Sequence, residues 1–339
     1  MAQAIAVRQG NGAAAAAGGH DRPGLASVVV PTHNDGPNIG PLLRRLLAEP
    51  CVGELIVVAS GCDDGTVPTA CAIADADGPR GTDGAAGPGS PPVHVFVEPA
   101  RSGKAAAVNF GVDRCTQPAI VIVAGDVLPE PGAVGLLVAA LAESRVGMAG
   151  GRPVPVNGFS STADIAVHLL WCVHHRLALR QPKLGEMVAL RAEAAVLLPE
   201  TSVDEACFQA RLEGAGWRSR YVPEALIANR GPGTVLDFVK QRRQIHTGHL
   251  WLRRREGYTV PSLRPALIVR EYWAEIRSGQ YLHRPVRLLR TLAAIAMEGW
   301  ARLLARLDVL RGRETHVWDM VTSAKDPALG PHRVGPRRR

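Results

Sequence analysis

Aromatic residues are scarce, with six Trp, four Tyr and five Phe among 339 residues. No aromatic-rich β motif or zinc-finger spacing accompanies the formal charge of +8, so the base-stacking and zinc-based routes to nucleic acid are not expected. Long apolar runs are missing too. Stretches such as Ala133–Ala142 and Thr291–Met297 fall well short of the roughly 20 residues a membrane-spanning helix needs. The six cysteines, Cys51, Cys62, Cys71, Cys115, Cys172 and Cys207, show no CxxC pair and no Cys/His ligand spacing. They read as the scattered reduced thiols of a cytosolic protein rather than a disulfide or zinc framework. The first 24 residues are rich in Ala and Gly and lack a basic start followed by an apolar core. They are expected to form a disordered tail rather than a signal peptide, which places the protein in the cytoplasm.

What is present begins with four short segments in a telling order: SVVVPTHN at 27–34, ELIVVASGCDDGT at 54–66, SGKAAAVNFG at 102–111 and IVIVAGD at 120–126. Two are β-branched runs that break into polar loops, one is a Gly-Lys turn opening a helix, and one is an apolar run ending in a lone aspartate. An open α/β sheet builds a nucleotide site in this way, at the carboxyl ends of its strands. The apolar content of 46% and charge of 21% suit a soluble globular chain. The length favours one large α/β domain with an appended helical piece over two equal domains.

The periodicity predicts strands over Leu25–Pro31, Glu54–Ala59, Val93–Val97 and Ala119–Ala124. Helices are expected over Asn38–Ala48, with Leu42, Leu43, Leu46 and Leu47 as its buried stripe, and over Thr66–Ala74, Lys104–Arg114 and Pro131–Glu143. Alternation of this kind makes the sheet mostly parallel. The Gly, Pro and Asp content of Asp75–Pro92 marks a flexible insertion. Beyond it, Val146–Val156, Glu186–Arg191, Arg218–Val222 and Ala225–Asn229 read as extended, and Ser161–Leu179, Val203–Glu213 and Thr234–Arg255 as helical. Pro285–Arg311 is amphipathic: Leu289, Leu292, Ala296, Trp300, Leu303, Leu307 and Leu310 share one face, with Arg287, Arg290, Glu298 and Arg302 away from it. That face either packs on the protein's own domain or lies on an anionic membrane.

Several polar residues fall where such a sheet does chemistry. Thr32 and Asn34 follow the first strand, where they can meet a base or ribose. Asp63 and Asp64 lie in the turn after the second strand, and Asp64 equally suits the cap of the next helix. Lys104 opens a helix whose backbone N–H groups favour a diphosphate, although no GxxxxGKS or GxxxxGKT loop is present. Asp126 closes the IVIVAG strand, where a carboxylate suits Mg²⁺ or Mn²⁺ shared with substrate phosphates. Trp171, His174, His175 and the KLGEM stretch at 183–187 lie between this half and the acidic pair Asp204 and Glu205.

Taken in order, these segments, with AGDVLPEPGAV, VDEACFQARLEGAGW and QRRQIHTG, resemble the family 2 glycosyltransferases with the GT-A fold, over about Ala26–Gly248. The resemblance implies an α/β fold of GT-A type, a mostly parallel open sheet flanked by helices with a C-terminal helical extension. With the composition, it suggests a disordered tail at 1–24, a catalytic domain at 25–256 with a donor half 25–130 and an acceptor and base half 131–256, an amphipathic extension at 257–325 and a basic tail at 326–339. It also implies transfer of a sugar, usually with inversion, from a nucleoside diphosphate sugar of UDP or GDP type.

Carried over by position, Pro31, Thr32 and Asn34 would border the nucleotide, Asp64 would bind the base, and Lys104 and Asn109 would line the diphosphate and ribose. Asp126 matches the last acid of the family's DxD metal motif, while Ala124 stands at the first. Ala59 or Ser60 replaces the acid that often follows the second strand. Glu205 falls where the catalytic base lies, with Asp204 as its alternative, because an acceptor hydroxyl attacks well only as its proton leaves. Gln241 fits the first position of the QxxRW element, but Gln244 and Ile245 replace its Arg and Trp. That argues against the acceptor platform of a processive synthase. Arg242 and Arg243 would stabilise the departing diphosphate, and His246 or His249 would supply a missing metal ligand. A sugar-1-phosphate nucleotidyltransferase would need a GxGxR opening and a Rossmann oxidoreductase GxGxxG; neither follows the first strand. A non-enzymatic basic module is the remaining alternative, because the positive charge gathers beyond residue 240. The partners expected of that charge are a diphosphate or an anionic membrane surface, not nucleic acid.

Overall fold

The β-branched runs of the first half become adjacent strands, and the Leu- and Ala-rich segments between them become the helices on either side. The computed structural model describes residues 5–6, 25–77, 90–278, 285–314, 316–317 and 321–325. In chain order the elements are β1 (Ile5–Ala6), β2 (Ala26–Thr32), α1 (Gly36–Leu47), β3 (Val52–Ser60), α2 (Thr66–Asp77), β4 (Val93–Glu98), α3 (Lys104–Val112), β5 (Ala119–Val123), β6 (Val127–Pro129) and α4 (Ala133–Ala140). They continue with β7 (Val146–Pro155), α5 (Thr162–Arg180), β8 (Met187–Arg191), α6 (Asp204–Gly214), β9 (Arg218–Asn229), α7 (Val235–Glu256), α8 (Pro265–Arg277) and α9 (Pro285–Leu310). The strands form one sheet in the order β1-β4-β3-β2-β5-β8-β7-β9-β6.

The run Val28-Val29-Val30 shows why β2 is central. Val28 and Val30 enter the core beneath α1 and α4, with Leu42, Leu46 and Leu137, while Val29 enters the opposite core with Val108 of α3 and Phe208 of α6. A strand covered on both faces reads as an unbroken apolar run. The donor half is parallel as expected, β2 pairing with β3 and β5, and β3 with β4. Gly111 lets α3 lie close on β2, since a Cβ there would sit 2.4 Å from Val29 Cγ1. Strand β8 then runs antiparallel to β5, with Met187 opposite Val123. That reversal brings Glu186 beside the end of β5, where its carbonyl accepts from Ala124 N–H at 3.2 Å.

Three elements were not read from the pattern: β1, β6 and α8. The first two are very short, and β6 exists through its antiparallel pairing with β9. The separate strands expected over 218–222 and 225–229 are one strand, whose pairing with β7 lapses between Tyr221 and Leu226. Pro223, which has no N–H to donate, lies inside that gap. Apart from Ile5 and Ala6, which pair with β4 where a disordered tail was expected, the N-terminal tail, the 326–339 tail and most of the Asp75–Pro92 insertion fall outside the described residues. Asp75, Ala76 and Asp77 belong to α2.

The largest departure concerns α9. The face it buries consists of Thr291, Ala294, Glu298, Ala301, Ala305, Asp308 and Val309, and the expected apolar stripe points outward. Leu289 is 69% exposed, Trp300 55% and Leu310 73%. The reason lies on α7, which presents Arg242, Arg243 and His246. Glu298 accepts from Arg242 at 2.9 Å, and Asp308 from Arg243 at 2.5 Å. Small alanines between the two carboxylates permit the close approach. Helix α8 repeats the arrangement: Glu271 and Glu275 are buried against Arg176 and Arg180 of α5, while Val269 and Trp273 face out. Among the described residues no helix is long and apolar enough to cross a membrane.

Candidate active site

The carboxyl ends of β2, β3 and β5 open into a large cleft that α3, α5, α6 and α7 complete. At its outer end, Thr32 donates to Asp35 Oδ2 at 2.8 Å, and Lys325 Nζ lies 2.9 Å from Asp35 Oδ1. Lys325 also donates to the His33 carbonyl, so the segment 321–325 folds back over this end of the cleft. Gly125 is required here. A Cβ at that position would lie 2.5 Å from Asp35 Oδ2 and 2.8 Å from Thr32 Oγ1. Its absence brings the Asp126 backbone against the end of β2. Burial, then the charge of Asp35, push the Asp126 carboxyl above its ordinary range, and Lys325 and Lys104 oppose that.

The middle of the cleft is acidic. Asp204 and Glu205 open α6, and Lys104 reaches them from the first turn of α3, 3.1 Å from Asp204 Oδ2 and 2.6 Å from Glu205 Oε1. Burial, then the charge of Glu205, push Asp204 up to about 7. Burial acts on Glu205 in the same sense, but the charge and hydrogen bond of Lys104 outweigh it and hold Glu205 low. One carboxyl of the pair is thus kept ionised while the other is poised near neutrality. Glu186, in a left-handed backbone conformation at φ 65°, is pushed up to about 8 by burial, then by the charges of Asp126 and Glu205.

The inner end lies between α5 and α7. Trp171 donates through Nε1 to Asn229 at 3.2 Å. His174 and His249 line the cleft, and burial, then the charge of Lys183, hold both imidazoles far below their usual range. Arg242 lines the cleft as well but spends its charge on Glu298.

The cleft therefore gathers Pro31, Thr32, Lys104, Asp126, Asp204, Glu205, Gln241, Arg242 and His249. Asn34, Asp64, Asn109, Arg243 and His246 are not among its lining residues, and their side chains are held by other partners. Asn34 bonds Asp63 at 2.6 Å. Asp64 accepts from the backbone N–H groups of Gly36 and Thr66, both at 2.9 Å, and so serves as a cap for α1 and α2. Asn109 clasps both backbone groups of Leu198 at 2.8 Å. Arg243 is held by Asp308, and His246 lies 2.8 Å from Glu298 against the groove between α7, α8 and α9. His175 pairs with Tyr221 at 2.9 Å instead of lining the cleft. Asp35 and Lys325 were missed. Asp35 directly follows the PTHN motif and was within reach of sequence reading, whereas nothing local marks Lys325.

Residues 27–184 match the family model described as Glycosyl transferase family 2. Over that segment the chain is similar to the family 2 glycosyltransferases. A search of curated proteins finds no match. Among solved structures, the glycosyltransferase is similar to the mannosyltransferase PcManGT from Pyrobaculum calidifontis, in complex with GDP-Man and Mn²⁺. The identity is 20% and the TM-score 0.58, over 87% of this chain and 89% of that one. It is also similar to glucosyl-3-phosphoglycerate synthase from Mycobacterium tuberculosis in complex with phosphoglyceric acid, at 19% identity and a TM-score of 0.49, over 70% of this chain and 81% of that one. The fold is that of the GT-A enzymes, as the sequence pattern implied.

Proposed function

We propose that this glycosyltransferase moves a sugar from a UDP- or GDP-type donor to an acceptor hydroxyl, with inversion at the sugar carbon. The observation that carries the reading is that Asp126 and the acidic pair face one cleft, with Lys104 reaching the pair from the first turn of α3. The PcManGT complex with GDP-Man and Mn²⁺ supports the donor class and a divalent cation. Among the described residues no three His, Cys, Asp or Glu side chains gather into a ready-made metal site. Asp126 lies at the strand end with Asp35 and Glu186 as its acidic neighbours, and a hard cation that takes one carboxylate, donor phosphates and water fits that arrangement. Mg²⁺ or Mn²⁺ held by Asp126 would neutralise charge on the departing diphosphate. The chain's own part is to hold the diphosphate at the N-terminus of α3, to keep Lys104 protonated beside it, and to take the acceptor proton on Asp204 or Glu205.

A screen of UDP and GDP sugars with Mn²⁺, read as release of the nucleoside diphosphate, tests the reading. Transfer should fall as the pH drops below about 7, because Asp204 is then protonated and cannot accept a proton. Asp204→Asn should remove that step from the pH profile. Failure to bind either nucleotide would end the assignment.

A second observation bears on where the enzyme works. The outward faces of α8 and α9 carry Val269, Trp273, Leu289, Leu292, Trp300 and Leu303, bordered by the exposed Arg264, Arg270, Arg277 and Arg306. Apolar rows rimmed by arginine, with indoles at the surface, complement an anionic bilayer. We propose peripheral docking there. Co-sedimentation with vesicles containing phosphatidylglycerol should be strong at low salt, and Leu289→Glu with Trp300→Glu should weaken it at least about tenfold. Absence of salt-sensitive binding would retire the idea, as would a dimer in analytical ultracentrifugation that the same variants dissociate.

A further inference from the structure

Asp126, the acidic pair, Glu186 and Lys183 all line the one cleft. Asp126 feels chiefly Asp35, Lys325 and Lys104. Lys183 feels Arg242, Glu205, Glu186 and Glu298. Glu186 stands between and feels both Asp126 and Glu205. A group bound at Lys183 would therefore share one cleft with the acidic pair and with Asp126.

Lys183 differs from the other cleft lysines. Lys104 and Lys325 hold carboxylates at 2.6 and 2.9 Å, whereas among the described residues no carboxylate lies within ion-pair distance of Lys183. Its neighbour Arg242 is neutralised by Glu298. Around it the walls carry Trp171, Leu170 and Ile245, which supply little solvation for a lone cation. Beside it His174 and His249, 5% and 4% exposed, each leave Nδ1 without a hydrogen-bond partner. A neutral imidazole has one N–H to give, and a buried polar atom left unpaired is costly enough to need an explanation. An ammonium with no carboxylate at ion-pair distance, beside two imidazoles that line the same cleft, suits an oxyanion.

We propose that the inner end of the cleft is an acceptor subsite for an anionic group, a phosphate or a carboxylate, held by Lys183 with His174 and His249. The inference rests on the glycosyltransferase reading above and deepens it: the acceptor carries an anion on one side of the hydroxyl that Asp204 or Glu205 deprotonates. Burial, then the charge of Arg242, push Lys183 down to about 8. A bound anion relieves that destabilisation.

The test uses the full chain saturated with GDP or UDP and Mn²⁺, titrated with inorganic phosphate and separately with acetate in a calorimeter. Binding of either anion alongside the nucleotide is expected, with phosphate preferred if the acceptor is a phosphate ester and acetate if it is a carboxylate. Lys183→Gln should weaken it at least about tenfold while Lys183→Arg retains it, and nucleotide affinity should be unchanged in both variants. Binding of neither anion, an effect unaltered in Lys183→Gln, or anion binding abolished by saturating nucleotide would overturn the proposal. The last outcome would assign Lys183 to the donor phosphates. Failure of the nucleotide itself to bind would fall on the donor reading, and the anion titrations would still judge the subsite.

Discussion

Asp126→Ala is expected to lower sugar transfer roughly a thousandfold or more, and to weaken nucleotide binding only when Mn²⁺ is present. Asp126 is the acidic side chain at the end of β5, and Ala124 occupies the position where the family's motif has another carboxylate. Among the described residues no three His, Cys, Asp or Glu side chains gather into an alternative metal site. Asp35 is already engaged by Thr32 and Lys325. The variant should fold normally, because removing a half-buried carboxyl whose protonation is favoured by burial and by Asp35 relieves repulsion. Turnover with the donor identified by the screen, together with nucleotide titrations with and without Mn²⁺, checks both halves of this expectation. Wild-type turnover would sink the role given to Asp126.

Glu298→Ala should destabilise the protein by ~3–5 kcal/mol, the range for breaking a buried ion pair by removing one partner. Glu298 is 5% exposed and accepts from Arg242 at 2.9 Å, from Arg302 at 2.9 Å, and lies 2.8 Å from His246 Nε2. Burial alone would favour its protonated form, but Arg242 and then His246 outweigh burial and hold it well below the carboxylate range. Without it, the Arg242 guanidinium is left charged in an interior site with no counterion. Urea unfolding measures the loss. Combining Glu298→Leu with Arg242→Met should recover much of the stability, because the larger cost is the orphaned charge and not the missing attraction. A loss below about 1 kcal/mol in Glu298→Ala would show that solvent reaches Arg242.

Both predictions draw on residues whose partners lie far along the chain. Asp126 was legible because an apolar strand, a glycine and an acid are consecutive. The same holds for Lys104 at a helix start and for Asp204 and Glu205 ahead of an amphipathic helix. Position along a strand or helix places such groups at the sheet's carboxyl edge without further information. Asn34 and Asp64 obeyed the same local logic yet were turned to other partners, because a turn polar group satisfies the nearest backbone N–H or neighbouring side chain before it meets a ligand.

The stripe on α9 is the clearest failure of periodicity. A helical hydrophobic pattern says which residues share a face but not which face meets the protein. Two buried carboxylates on α9 and two arginines on α7 decided it, because leaving those charges unpaired would cost more than leaving leucines in water. The same limit applies to His246, which sits one turn from Arg242 and so shares its carboxylate.

By itself, then, the amino-acid order determined the α/β alternation, the parallel donor half and the resemblance to the family, since strand and helix periods and glycine turns are local properties. Only the tertiary structure decided that Lys104 bridges to the acidic pair, that Glu186 and Lys325 enter the cleft, that among the described residues no carboxylate lies within ion-pair distance of Lys183, and that the C-terminal helices show their apolar faces to the outside. Each of those depends on charges brought together from distant segments, and their pairing in a low-dielectric interior is settled by distance in space, which sequence spacing does not encode.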